Sequence, residues 1–355
     1  GPLGSMITRN PIVPENHVSN PVTDYEFNQD QSCLILSTLK SFEIYNVHPV
    51  AHIMSQEMRH LSKVRMLHRT NYVAFVTGVK EVVHIWDDVK KQDVSRIKVD
   101  APVKDLFLSR EFIVVSYGDV ISVFKFGNPW KRITDDIRFG GVCEFSNGLL
   151  VYSNEFNLGQ IHITKLQSSG SATTQDQGVQ QKAILGKGVL IKAHTNPIKM
   201  VRLNRKSDMV ATCSQDGTII RVFKTEDGVL VREFRRGLDR ADVVDMKWST
   251  DGSKLAVVSD KWTLHVFEIF NDQDNKRHAL KGWINMKYFQ SEWSLCNFKL
   301  SVDKHVRGCK IAWISESSLV VVWPHTRMIE TFKVVFDDEM ERWLIQMDQR
   351  EQLMI

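Results

Sequence analysis

No apolar run in this chain approaches the roughly 20 residues that a bilayer-spanning helix needs, so any membrane contact is expected to be peripheral. The five cysteines (Cys33, Cys143, Cys213, Cys296, Cys309) lie far apart, without the paired spacing of a zinc site or a disulfide framework, and read as reduced, mostly buried thiols. Strong helical periodicity is scarce. No nucleophile elbow, metal-ligand cluster, phosphate-cradling glycine loop or catalytic carboxylate pair stands out, which argues against an enzyme, a cofactor or a metal. Basic residues are not gathered with aromatics outside one insertion, which argues against nucleic-acid binding.

What is present suits a soluble globular protein: 43% hydrophobic residues, 25% charged residues and a net charge of +4, a mild basic bias that fits anionic partners. Residues Gly1 to Ser5, ahead of Met6, read as the scar of a cleaved tag. No signal peptide follows, and an intracellular protein is expected.

Short runs rich in Val, Ile, Phe, Tyr and Thr recur from end to end, separated by Gly, Asp, Asn or Ser clusters, which is the all-β signature. They group into blocks of about 45 residues, the period of four-stranded propeller blades. Block five is the clearest: Ile198 to Leu203, Met209 to Cys213, Ile219 to Phe223 and Leu230 to Phe234, with turns at Asn204-Arg205, Asp216-Gly217 and Asp227-Gly228. Seven such blocks predict an all-β, WD40-like seven-bladed β-propeller over residues 6–350 as one domain. Blade seven can draw all four strands from the C-terminal stretch, so closure without strand exchange is expected. Residues 167–187, rich in Ser, Gly, Thr and Gln, read as a mobile loop inside blade four.

The dipeptide Arg235-Arg236 carries the functional argument. Neighbouring residues on a strand point to opposite sides of the sheet, so two adjacent arginines suit two anions better than one. The flanking junctions repeat a pattern: Ser214-Gln215-Asp216-Gly217-Thr218 before Arg221, and Ser259-Asp260-Lys261-Trp262-Thr263 before His265. Guanidinium, hydroxyl and imidazole groups supply the converging donors a phosphate needs. The expected first site is Arg235 with Arg221, Ser214, Thr218 and His194; the second is Arg236 with Ser259, Lys261, Thr263, His265 and Arg240. Blades also use such residues in structural hydrogen bonds, and for His84 in blade two that is the expectation.

Residues 271–292 interrupt block six. They read as polar and charged, then amphipathic, with Trp283, Ile284, Met286, Tyr288 and Phe289 among Lys276, Arg277, Lys281 and Lys287. Each cation near an anionic leaflet contributes about 1 kcal/mol, and each aromatic can bury ~150–250 Å². The expected roles are insertion into a bilayer or, alternatively, a flap on the propeller's own side or a partner-binding loop.

Phe234-Arg235-Arg236-Gly237, with Ala193-His194, Ala211-Thr212-Cys213-Ser214, Gly217-Thr218-Ile219-Ile220-Arg221, Ser259-Asp260-Lys261 and Thr263-Leu264-His265-Val266-Phe267, closely resembles the PROPPIN (WIPI-like) family across essentially the whole chain. The resemblance implies a seven-bladed propeller that binds phosphatidylinositol 3-phosphate and phosphatidylinositol 3,5-bisphosphate at two rim sites, one arginine in each, and inserts the loop corresponding to 271–292 into the bilayer. It further implies a monomer in the cytoplasm, peripheral on endosomal, vacuolar and pre-autophagosomal membranes, with autophagy proteins as partners. The compact length looks most like the small subgroup named for a swollen-vacuole phenotype, which acts in selective autophagy of nuclear fragments. Two departures stand out. Trp262 replaces a common Gly, and Gln215-Asp216 replaces a frequent Thr-Lys pair, placing a carboxylate where a phosphate would disfavour it. The competing function is a protein-binding scaffold whose rim arginines grip acidic partners; the resemblance also implies recruitment of autophagy proteins through other blades, with the blade-two turn from Gly78 to Glu81 a candidate for that contact.

Overall fold

The computed structural model describes residues 20–127, 130–167, 188–270 and 293–353. The insertion 271–292, with its candidate membrane-contacting side chains Trp283, Ile284, Met286, Tyr288 and Phe289, lies outside the described residues, as does 168–187 of the expected blade-four loop.

The described chain forms seven antiparallel sheets in sequence order. Blade one is β1 (Asp24–Phe27), β2 (Cys33–Ser37), β3 (Ser41–Val47) and β4 (Val50–Glu57). Blade two is β5 (Lys63–Met66), β6 (Tyr72–Val76), β7 (Val82–Asp87) and β8 (Gln92–Lys98). Blade three is β9 (Val103–Leu108), β10 (Phe112–Tyr117) and β11 (Val120–Lys125), with its outer position split between β12 (Lys131–Arg132) and β13 (Ile137–Arg138), both paired to β11. Blade four is β14 (Cys143–Ser146), β15 (Leu149–Ser153), β16 (Gln160–Lys165) and β17 (Val189–Lys192). Blade five is β18 (Ile198–Leu203), β19 (Met209–Ser214), β20 (Ile219–Lys224) and β21 (Leu230–Arg235). Blade six is β22 (Val243–Trp248), β23 (Lys254–Ser259), β24 (Thr263–Glu268) and β25 (Cys296–Lys299). Blade seven is β26 (Lys310–Ser315), β27 (Ser318–Trp323), β28 (Met328–Asp337) and β29 (Arg342–Gln352).

Each core cluster lies between two blades rather than inside one, because both faces of every sheet are covered. Met209, Ala211 and Phe234 of blade five pack on Met246, Leu255 and Phe267 of blade six, while Val210 and Phe223 on the other face of blade five pack on Val151, Ile161 and Ile191 of blade four. This explains the continuous apolar runs: β2, β10 and β19 are buried at every position.

The ring closes without strand exchange, as the sequence leads one to expect. β1 pairs β2 inside blade one, and blade seven takes its four strands from the C-terminal stretch. Blades one and seven meet by packing of Phe27, Leu34 and Leu36 on Ala312, Val320 and Ile329. Lys310 Nζ adds hydrogen bonds to Tyr25 O at 2.7 Å and Glu26 Oε2 at 2.9 Å. Burial alone would raise the Glu26 carboxyl, but Lys310, with Lys247 and Arg65, holds it well below the usual carboxylate range. Gln31 ties blades across the centre, donating to Trp248 O at 3.1 Å and accepting from Trp313 N at 2.8 Å.

Candidate functional site

β21 is the outermost strand of blade five, and its alternation sorts its side chains between two clefts. Phe234 packs on Phe267 with ring centroids 4.8 Å apart, and Arg232 Nε donates to Ile269 O at 2.9 Å, so from Arg232 onward, past the irregularity at Val231, the even-numbered positions face blade six. Arg236 continues that face. Glu233 and Arg235 therefore face blade four, and Arg221, the cross-strand partner of Glu233, donates from Nη1 to Ala193 O at 2.8 Å, at the junction of blades four and five. The dipeptide thus divides two clefts, one on each side of blade five.

The first cleft brings together Arg221, His194 and Ser214 beside Arg235. His194 Nε2 lies 2.9 Å from Thr212 Oγ1, and Thr212 Oγ1 donates to Arg221 O at 3.0 Å. Burial, with the neighbouring Arg221 guanidinium, lowers His194 to about 4, so it is neutral near pH 7. Arg221 Nε donates to Glu233 Oε1 at 2.8 Å. Among the described residues the half-buried Arg235 side chain has no hydrogen-bond or ion-pair partner.

The second cleft gathers Arg236, Ser259, Thr263 and His265, all on the face where blades five and six meet. Arg236 is 5% exposed, and its guanidinium is committed to backbone: Nε donates to Gly217 O at 2.6 Å and Nη2 to Asp239 O. Burial lowers the Arg236 pKa, opposed by Asp260, Asp239 and Asp216. His265 is lowered to about 4 by burial and by the neighbouring Arg236 guanidinium. His265 Nδ1 lies 3.2 Å from Ser294 Oγ. Lys261, exposed, pairs with Asp239 Oδ2 at 3.3 Å.

The duplicated Ser-x-x-x-Thr elements have a structural role first. Ser214 O accepts from Gly217 N at 3.1 Å and its hydroxyl from Asp216 N at 3.3 Å; Ser259 O accepts from Trp262 N at 2.8 Å and its hydroxyl from Lys261 N at 3.4 Å. Each serine closes its turn and keeps its own O–H free to donate. The residue three positions on takes a left-handed conformation in both turns, Gly217 at φ 71° and Trp262 at φ 61°. That conformation accounts for the common Gly at the second position; Trp262 adopts it while packing against Trp323, ring centroids 5.7 Å apart.

The strand registers differ, with Cys213 opposite Ile220 in blade five but Val258 opposite Leu264 in blade six, so the blade-five turn is one residue longer and the two threonines are not equivalent. Thr218 O accepts from Arg236 N at 2.8 Å, which sets Thr218 opposite Arg236 and not Arg235. Thr263 opens β24 and shares the His265 face. Arg240, with Asn196, Pro197, Gln215 and Asp216, lines an open polar cavity of about 190 Å³ around the blade-five turn.

Sequence reasoning missed Thr212, Glu233, Asp239 and Ser294, which hold the site's bases. The signal for Glu233 was available, since it stands two residues before Arg235 on one strand and so shares its face. A second missed signal is a ring-wide repeat. Glu43, His84, Ser122, His162, Arg221, His265 and Glu330 each occupy the third position of their blade's third strand. His84 in this series bonds Asp93 Oδ2 at 2.9 Å and stacks on Phe75 at 4.7 Å, the structural role expected of it.

A family model described as PROPPIN matches residues 22–289. The chain is 70% identical to the SVP1-like protein 2 of Kluyveromyces lactis over 98% of this chain and 99% of that protein. A crystal structure of Kluyvelomyces marxianus Hsv2 superposes with a TM-score of 0.84 at 89% identity, covering 95% of this chain and 100% of the other. A complex of KlAtg21 with the coiled-coil of AgAtg16 shares the fold alone, at TM-score 0.67 and 18% identity over 94% of this chain and 99% of that one.

Proposed function

Because this chain belongs to the PROPPIN family of binding propellers, not enzymes, we propose that it is a peripheral membrane protein that binds phosphatidylinositol 3-phosphate and phosphatidylinositol 3,5-bisphosphate through the two clefts that Arg235 and Arg236 divide. The observation that carries this reading is the placement of the pair, at the end of β21, on opposite sides of blade five, each arginine beside a neutral histidine and a serine hydroxyl able to donate. A headgroup phosphate in the first cleft meets Arg235, Arg221, Ser214 and His194; in the second it meets Arg236, Ser259, Thr263, Lys261 and His265. Thr218 stands opposite Arg236, and Arg240, on the connection from blade five to blade six, lines the cavity around the blade-five turn.

Two modest sites on one rim act together, since occupation of one raises the effective concentration of lipid at the other. Residues 271–292, with Trp283, Ile284, Met286, Tyr288 and Phe289, supply the third contact by inserting into the bilayer. The chain then serves selective autophagy and recruitment to endosomal and vacuolar membranes. The structure of KlAtg21 with a coiled-coil of AgAtg16 supports autophagy proteins as partners of this fold. Liposome flotation with Arg235→Thr, Arg236→Thr and the double change tests the reading: binding falls severely in each single variant. Undiminished binding by the double variant refutes it.

A further inference from the structure

Resting on the reading of the two clefts as phosphate sites, we infer that Glu233 is a built-in competitor for the first of them, occupying Arg221 when the cleft is empty and yielding it when a phosphate enters. Three observations converge on this carboxylate. It shares a strand face with Arg235, two residues away, and it faces Arg221 directly in the β20–β21 register. Its Oε1 accepts from Arg221 Nε at 2.8 Å, with the two side chains only 20% and 29% exposed, so solvent screens the pair weakly. Its charge also reaches His194, opposing the downward pull that burial and Arg221 exert on that imidazole. A negative group therefore sits within the ring of donors a phosphate would use.

The second cleft differs. Arg236 is held by the carbonyl oxygens of Gly217 and Asp239, which carry no net charge. The carboxylates that reach Arg236, those of Asp260, Asp239 and Asp216, do not ion-pair with it, and Asp239 pairs instead with Lys261 from a side chain that is 84% exposed, where water and salt screen it. An incoming phosphate has a half-buried arginine–carboxylate pair to break only in the first cleft. The first cleft is accordingly the weaker of the two, and the more demanding of a doubly charged phosphate, whose second charge offsets the lost Glu233 contact. Glu233 is thus a specificity-determining residue of the site.

The test is titration calorimetry with soluble inositol 1,3-bisphosphate on Glu233→Gln, which keeps the side chain's size and removes its charge. The background is Arg236→Thr, so that only the first cleft reports; Lys261→Ala replaces that background if Arg236→Thr fails to fold. First-cleft affinity rises on the order of tenfold, equivalent to about 1.4 kcal/mol, and the salt dependence of binding steepens as Arg221 becomes available. A residue that merely braces Arg221 gives the opposite result, so unchanged or weakened affinity in Glu233→Gln overturns the inference. Absence of headgroup binding by the unaltered chain overturns the phosphate reading itself.

Discussion

The two arginines look equivalent in the sequence, and the structure makes them unequal in a way thermal unfolding can measure. Arg236 is almost fully buried and donates to two backbone carbonyls, one of them Gly217 O at 2.6 Å, while Arg235 has no partner among the described residues. Charged hydrogen bonds contribute about 1.5–3 kcal/mol each. Removing the guanidinium also removes the cost of keeping it desolvated, so the net loss for Arg236→Thr is about 2 kcal/mol. Arg235→Thr deletes no such contact and stays within about 0.5 kcal/mol of the parent. With an unfolding entropy near 2.1 cal/mol/K per residue, a 355-residue chain loses roughly 3 °C of Tm in the first variant. The second loses less than roughly 1 °C. Scanning calorimetry or dye-monitored melting of the two variants side by side gives the comparison. Equal Tm values would refute the assignment of Arg236 to a buried, backbone-bonded position, and a larger loss in Arg235→Thr would reverse the two faces of β21.

His194 and His265 are each lowered to about 4 from an ordinary value near 6.5. The unfolded chain therefore takes up protons that the folded one refuses, and stability falls as pH drops from about 6.5 towards 4. The His194→Gln and His265→Gln double variant has a shallower fall in Tm over that window; an identical profile would contradict the burial of both rings. At the ring's seam, Lys310→Met leaves Tyr25 O and Glu26 without their shared donor. Urea unfolding is expected to show a loss of about 2 kcal/mol, and no loss would mean that blades one and seven are not joined there.

The fold was legible because each blade is punctuated locally. In blade five all four strands start where the apolar runs start, and the turns fall at the expected Asp-Gly pairs. Blade seven was legible for the same reason, which settled closure. The broken outer position of blade three was not, because β12 and β13 are two residues each and too short to form a pattern. At the site, alternation along β21 sufficed to separate the arginines. What it could not supply was the one-residue difference between the two turns, which moves Thr218 opposite Arg236, and the path of the connection that carries Arg240 to Gln215 and Asp216. Both depend on turn geometry, which motif spacing does not encode.

The central claim is that Arg235 and Arg236 divide two separate phosphate sites. Its most direct measurement is the stoichiometry of inositol 1,3-bisphosphate binding in solution by titration calorimetry, for the parent, Arg235→Thr and Arg236→Thr. Two headgroups per parent chain and one per single variant is the expected result. One headgroup per parent chain, lost on changing either arginine, would mean a single shared site and would contradict the division.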